Sequence, residues 1–222
     1  MARFIDKEKA LSLRKKGMSY GQIKKELGIS KSTLSNWLRD YPLSKERIKE
    51  LRDCNEQRIE RFRETMRGKK EVRLLDFYNK ERDNINFLSK REVYLAGLFL
   101  YWGEGGKSLY AARLQISNTD PAVIKFFIYW LQLLGVAKSK IRAQLHLYND
   151  MDIDRELNFW VKTLEMNKGQ FSKPYIKQTS LRNIGHKGGF GHGTCNLTVG
   201  DARLSERILM ALKFISDYSL SK

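Results

Sequence analysis

The amino-acid sequence predicts an α+β protein, and three observations support this. Helix-forming segments joined by glycine turns occupy residues 1–41, and a run that is almost half charged occupies residues 42–90. Strand-like and helix-like segments then alternate over residues 91–222. With 222 residues and 41% hydrophobic composition, the chain is long enough to bury one or two hydrophobic cores.

The charge balance indicates the chemical class of the partner. The chain has 42 Lys and Arg against 25 Asp and Glu, a formal net charge of +17. Nucleic-acid, ribosomal and membrane-surface proteins share this excess, so the charge predicts a polyanionic partner and no activity. An aromatic content of 11% and regular patterning argue against a disordered basic tail.

Targeting signals and cysteine usage predict a cytoplasmic protein without a membrane partner. The sequence contains nothing that resembles a signal peptide, and the apolar run 93–102 is far too short to span a bilayer. Cys54 and Cys195 lie far apart in dissimilar contexts, so they define neither a disulfide framework nor a zinc site. We interpret them as two reduced thiols.

The first region, residues 1–41, is predicted to contain three helices. The first helix ends at Gly17, Ser19 caps the second, and Gly28 supplies a tight turn before Ser30 caps the third. Two helices that are joined by a short glycine turn resemble a helix-turn-helix. A generic three-helix bundle with a solvated polar face is the alternative.

The helix-turn-helix resemblance implies binding to double-stranded DNA, with the third helix in the major groove. A protein of this kind is nucleoid-associated when it is bound to DNA. The exposed face of that helix carries donors or dual-purpose groups that are able to contact base edges: Lys31, Ser32, Thr33, Ser35, Asn36 and Arg39.

The second region, residues 42–90, is predicted to be a charged helical linker. Pro42 interrupts the chain, and Gly68 is expected to interrupt the helix that follows. A thin apolar stripe recurs at helical intervals, which suits a linker helix or a short coiled coil between two chains. Its members are Ile48, Leu51, Ile59, Phe62 and Met66.

The third region, residues 91–222, alternates between strand and helix patterns. The predicted strands cover 112–118, 141–148, 173–180 and 193–200, and the predicted helices cover 121–134, 152–166 and 201–218. In each strand apolar and polar residues alternate, so one face of the sheet packs against helices. The other face has no acid among its predicted members and carries groups that bond phosphates and base edges. From this face we select as DNA-contacting residues Arg113, Gln115, Arg142, Gln144, His146, Lys177 and Asn196. An ordinary amphipathic sheet that lacks acids is the alternative.

The segment LAGLFLYWGEGGK, residues 95–107, ends an apolar run in one acid, Glu104, between two glycines. A helix that is rich in small residues, ends in an acid and precedes a DNA-facing sheet resembles the LAGLIDADG endonuclease family. The motifs YWGEG, SNTDP and QFSKPY resemble a set that recurs where one such domain follows a helix-turn-helix.

The LAGLIDADG resemblance implies an αββαββα domain over residues 91–222 with a saddle-shaped antiparallel sheet. It implies a homodimer in which small residues such as Ala96 and Gly97 let two helices pack closely. The paired Glu104 carboxylates would then bind Mg²⁺, or another divalent cation such as Mn²⁺, and would be catalytic. The short interval before Asp120 leaves room for little more than one strand, and helix 152–166 is an addition to the family order.

Other candidate groups carry no family motif. Lys107 and Lys187 are basic positions expected to contact DNA, and a basic or water-organising role beside the metal is open to Lys177, Lys187, Gln144 and His146. The glycine-rich loop 183–193 contains His186 and His192, whose spacing is poor for a zinc site, and we interpret it as a hairpin loop that contacts phosphate.

Two functions follow from the sequence. The first is a divalent-metal-dependent, site-specific DNA endonuclease of the homing type. The alternative is a non-cleaving transcription regulator built on a LAGLIDADG-derived domain.

Overall fold

The computed structural model describes residues 2–51, 54–178 and 191–221. The chain divides into two compact units, Met1–Asn86 and Phe87–Lys222. The predicted positions His186 and Lys187, and the end of the predicted strand 173–180, lie outside the described residues.

The N-terminal unit is helical throughout its regular structure. Its helices are α1 (Ala2–Lys15), α2 (Tyr20–Leu27), α3 (Lys31–Trp37), α4 (Lys45–Glu50) and α5 (Cys54–Asn84). The predicted caps are confirmed: Ser19 forms a capping box with Gln22, and the Ser30 hydroxyl accepts from the Thr33 amide. Gly28 adopts φ +69°, the left-handed conformation that favours glycine at a helix end.

A buried polar cluster joins α5 to the first two helices. Arg14 donates to both carboxylate oxygens of Glu60, at 3.4 and 3.0 Å, and the two residues are only 3% and 5% exposed. The Tyr20 ring lies beneath the guanidinium groups of Arg14 and Arg63, which are 4.5 and 3.9 Å from its centroid. The first turns of α5 are therefore packed into the helix-turn-helix unit.

Helix α5 runs through Gly68 without a break, so the predicted interruption at this glycine is wrong. A glycine costs about 1 kcal/mol inside a helix, and strong helix formers on both sides absorb that cost. Beyond Gly68 the helix exposes large apolar side chains, among them Leu75, Phe77 and Tyr78.

The C-terminal unit is a four-stranded mixed sheet with helices against one face. Its elements are α6 (Lys90–Glu104), β1 (Leu114–Asn118), α7 (Pro121–Leu133), β2 (Arg142–Tyr148), α8 (Ile153–Leu164), β3 (Phe171–Lys177), β4 (Thr194–Val199) and α9 (Ala202–Leu220). The strand order is β1-β4-β2-β3. The two units together give an α+β protein, as predicted.

The topology corrects the predicted αββαββα order and the wholly antiparallel sheet. The β1–β4 and β4–β2 pairs are antiparallel, whereas β2 and β3 are parallel. Helix α8 lies between β2 and β3 and returns the chain to the same end of the sheet, which imposes the parallel direction. Among the described residues no strand lies between α6 and β1, and the only pairing there is an isolated bridge between Gly105 and Ile116.

The predicted alternation is confirmed by burial in β1, β2 and β4, whereas β3 has no buried residue and a shift in its register with β2. Apolar residues of β1, β2 and β4 are buried beneath the helices, among them Leu114, Leu145 and Leu197. Their neighbours along each strand are half-buried or exposed on the opposite surface, which we call the open face. The open face consists of Gln115, Ser117, Arg142, Gln144, His146, Tyr148, Tyr175, Lys177, Thr194, Asn196 and Thr198.

Gly97 packs inside its own chain, which corrects its predicted place between two paired helices. A Cβ atom at this position would collide with the indole ring of Trp130 in α7. Trp130 is fully buried, and its Nε1 donates to the Tyr94 carbonyl of α6 at 3.1 Å. The absent side chain therefore lets α6 approach α7. Ala96, on the neighbouring face, is exposed.

Candidate nucleic-acid interface

Helix α3 presents a polar face because its apolar residues are fixed in the core. Leu34 and Leu38 are fully buried with Ile23 and Ala10, so the rotation of α3 about its axis is set. Four of the six predicted contact residues are exposed on the opposite side: Lys31, Ser32, Asn36 and Arg39.

The remaining two predicted residues of α3, Thr33 and Ser35, are half-buried. The Thr33 hydroxyl lies 2.8 Å from the Ser30 hydroxyl, within the cap of the helix. Arg39 donates to the Asn36 side-chain oxygen at 3.3 Å, which holds an amide and a guanidinium side by side on the surface. An amide is able to bond to the edge of adenine, and a guanidinium to the edge of guanine.

The sheet register brings most of the predicted C-terminal residues together on the open face. Thr198 of β4 lies opposite Gln115 on one side and Arg142 on the other. Asn196 lies opposite Gln144 in the next row. In the row beyond, His146 is flanked by Thr194 of β4 and Tyr175 of β3. The result is a continuous polar surface with no acid at these positions. Arg113 is exposed just before β1.

Several of these side chains make contacts within the chain. Arg142 Nη1 donates to the Ser139 carbonyl at 2.6 Å, and Gln144 Nε2 donates to the Lys173 carbonyl at 3.1 Å. Lys177 Nζ lies 4.8 Å from the centroid of the Tyr148 ring. These contacts hold cationic and amide groups in place on the open face.

His146 is biased toward its neutral form. Its ring is packed against Tyr175, with 5.3 Å between centroids. Burial lowers the pKa of His146, and the nearby Lys177 cation lowers it further. A neutral imidazole offers one donor and one acceptor, which suits contact with base edges better than charge neutralisation of phosphate.

Asn196 contains an acceptor without a partner. Its Oδ1 is buried at the centre of the open face and makes no hydrogen bond to the described residues. Buried polar atoms are rarely left in this state because each costs free energy.

Glu104 is presented to solvent at the end of α6 by its glycine neighbours. The Tyr101 ring packs on Gly105, where a Cβ would collide with it, and the Tyr101 hydroxyl donates to the Gly106 carbonyl at 2.6 Å. The Gly106 amide then donates to the Gln115 carbonyl of β1 at 2.9 Å. These contacts turn the chain from α6 onto the sheet and leave Glu104 exposed beside the β1 edge.

The other predicted catalytic groups lie away from Glu104 within one chain. Lys177 is on β3, at the opposite edge of the sheet from β1. Since neighbouring strands are about 4.8 Å apart, three strand spacings amount to roughly 14 Å. Gln144 and His146, on β2, are two strands away from β1. Among the described residues, no group of three or more His, Cys, Asp or Glu side chains is placed to hold a metal ion.

Side chains of α8 contact His192, which lies at the end of the loop that the sequence predicts to contact phosphate. His192 Nδ1 lies 2.6 Å from a carboxylate oxygen of Glu156, and its ring stacks on Phe159 with 3.5 Å between centroids. Glu156 is only 4% exposed, and Trp160 Nε1 donates to the His192 carbonyl at 2.8 Å. These contacts anchor His192 at the start of β4, and the phosphate contact of loop 183–193 stays a prediction. The sequence does contain a signal for this contact, because Glu156, Phe159 and Trp160 are spaced to lie on one face of a helix.

Cys195 behaves as a structural thiol. It is fully buried in β4, and burial raises the pKa of the Cys195 thiol to about 12. It is therefore protonated and unreactive at neutral pH.

Comparison with known proteins identifies the N-terminal unit. Residues 11–53 match the family described as Helix-turn-helix (HTH_3), which covers about a fifth of the chain. Searches of curated proteins and of solved structures gave no match. The chain therefore has an N-terminal helix-turn-helix, which implies binding to DNA. The LAGLIDADG resemblance and the homodimer gain no support from these comparisons. None of the helices in the described ranges has the length and apolar character needed to cross a bilayer.

Proposed function

We propose that this protein is a sequence-specific DNA-binding regulator of transcription that does not cut its target. The observation that carries the proposal is the helix-turn-helix match, together with the polar face of α3. Lys31 and Arg39 supply charge for phosphates and guanine, while Asn36 supplies an amide for adenine.

The open face supports a second contact with the same duplex. It combines Arg142, Gln144 and Lys177 with the half-buried side chain of Asn196. A surface that excludes acids and retains donors attracts phosphate and is able to bond to base edges. Two DNA-binding surfaces in one chain lengthen the recognised site and strengthen binding by raising the local concentration of the second surface.

The test is selection of a binding site from a random pool of duplex DNA with the full chain. On the selected site, Asn36→Ala is expected to weaken binding by about 1–3 kcal/mol and to relax preference at one base pair. Lys31→Ala is expected to weaken binding to all sequences and to reduce the salt slope by about 1. Affinity is measured by fluorescence anisotropy over a series of salt concentrations.

Lys162→Ala, in an exposed position of α8, is the matched control for loss of a surface charge. Equal weakening by Lys162→Ala and Lys31→Ala would contradict a specific role for α3. A pool that yields no enriched sequence would contradict sequence-specific binding altogether.

A metal-dependent nuclease is the second candidate, and the exposed position of Glu104 favours it. Within one chain Glu104 belongs to no group of three or more His, Cys, Asp or Glu side chains among the described residues, so on its own it contributes a single carboxylate. Cleavage would therefore need a carboxylate from a second copy.

Incubation of the selected duplex with Mg²⁺ separates the two candidates. If the protein is a nuclease, the wild-type chain cuts and Glu104→Gln binds with unchanged affinity without cutting. If the protein is a regulator, the duplex stays intact with both the wild-type chain and the Glu104→Gln variant. If the wild-type chain cuts the duplex and the Glu104→Gln variant does not, the proposed function is wrong and the protein is a nuclease.

A further inference from the structure

The turn between α6 and β1 carries two adjacent apolar side chains into solvent. Tyr110 is 100% exposed and Leu109 is 61% exposed. Residues 109 and 110 form the tip of the turn. Isolated exposed apolar residues are common, but a projecting pair at a tip presents a contact surface.

Buried hydroxyl groups fix both ends of this turn. At the start, the fully buried Tyr101 donates to the Gly106 carbonyl at 2.6 Å. At the end, the Ser205 hydroxyl of α9, which is 2% exposed, lies 3.4 Å from the Ala111 carbonyl and 3.3 Å from the Arg113 carbonyl. The core of the unit therefore sets the direction in which the tip projects.

Cationic side chains lie on both sides of the apolar tip. Lys107 precedes it and Arg113 follows it, and both are exposed. No acid occurs between Gly105 and Leu114. An apolar tip with a positive charge on each side matches a base step between two phosphates, since the charges contact the backbone while the tip contacts the bases.

We propose that Leu109 and Tyr110 form a wedge that inserts between two base pairs of duplex DNA from the minor groove. Lys107 and Arg113 contact the phosphates on either side, and the Tyr110 ring supplies a face for stacking. Insertion unstacks the step and bends the duplex. The inference rests on the proposed DNA binding, and it adds a second kind of contact that reads how easily a sequence deforms.

The experiment uses the full chain and the duplex that it selects. Bending is measured by energy transfer between dyes at the two ends of the duplex, and unstacking by the permanganate reactivity of thymines. The wild-type chain is expected to bend the duplex and to make a thymine reactive. The double variant Leu109→Ala/Tyr110→Ala is expected to lose both effects and to bind roughly tenfold more weakly.

Two further variants act as controls. Phe214 of α9 is 71% exposed. Phe214→Ala removes this exposed aromatic ring and is expected to behave like the wild type. Tyr110→Phe retains the ring and is expected to retain the bend. The salt slope of the double variant stays unchanged because no charge is removed.

The outcomes distinguish the wedge from the proposed function. Failure to select any duplex overturns both. Selection of a duplex that remains straight and unreactive overturns the wedge alone, as does a double variant that bends and binds like the wild type. A change of oligomeric state in the double variant, with bending intact, also overturns it.

Discussion

Replacing Glu60 with alanine is expected to lower the free energy of unfolding of the N-terminal unit by about 3–5 kcal/mol. The substitution leaves the Arg14 guanidinium buried without its carboxylate partner, and Arg14 is only 3% exposed. It also removes the carboxylate that pairs with both Arg14 and Arg63, whose guanidiniums lie over the Tyr20 ring. Hydrogen exchange detected by mass spectrometry measures the loss in α1 and α2, with the C-terminal unit as an internal reference.

The control for this prediction is Glu50→Ala. Glu50 pairs with Arg47 at 3.0 Å, but its side chain is 64% exposed, so the expected loss is below about 1 kcal/mol. Equal losses in the two variants would show that burial adds nothing to the Arg14–Glu60 pair. Arg14→Met/Glu60→Leu removes both charges and is expected to restore only part of the stability. Arg14 also donates to the carbonyls of Met18 and Tyr41, which the double variant leaves without that donor.

Replacing Gly97 with valine is expected to lower the free energy of unfolding of the C-terminal unit by about 3 kcal/mol. Any Cβ at this position collides with the Trp130 indole, and Trp130 is fully buried among Tyr101 and Phe127. Because the collision lies within one chain, the loss should be the same at low and high protein concentration. Denaturant unfolding followed by tryptophan fluorescence measures it.

Gly103→Ala is the matched control in the same helix. A Cβ at position 103 meets no atom within 4 Å, so alanine should be neutral or slightly stabilising. If Gly97→Val lowers the free energy of unfolding only at concentrations where two copies associate, Gly97 lies in a contact between helices of two chains instead. Gly97→Val/Trp130→Leu creates space for the new side chain, and its loss should be smaller than the sum of the single losses.

The sequence predicted those parts of the fold that depend on local pattern. Ser19, Gly28 and Ser30 mark helix ends through their own backbone and side-chain chemistry, which neighbouring residues determine. The alternation of Leu114 with Gln115 predicted the buried and open faces of β1, because period two follows from the pleat of a strand.

The pairing of strands was not predictable from the same pattern. Alternation states which face a residue occupies, but not which strand lies beside it or in which direction. The parallel pairing of β2 with β3 depends on the path of the chain through α8. The LAGLIDADG resemblance implied a wholly antiparallel sheet, which is wrong.

The face that a candidate residue occupies was predicted where it follows from helix or strand periodicity, as for Asn36 and Gln144. Buried polar contacts were missed where the two partners are distant in the sequence. Arg14 and Glu60 are 46 residues apart, and charges on a helix are usually solvated, so nothing local marks them as buried. Gly97 illustrates a related limit, since a small residue indicates a close contact but does not identify its partner.

The position of β4 has a consequence for the order of folding. Among the described strands β4 comes last along the chain, yet it lies between β1 and β2 and is the only one adjacent to β1. Until residues 194–199 leave the ribosome, β1 has no strand to pair with and the sheet has no centre. The three N-terminal helices pack on near neighbours and need no such delay. Synthesis should therefore complete the DNA-reading helices well before the second unit acquires its middle strand, so that for a time a nascent chain carries one folded unit and an unfinished sheet.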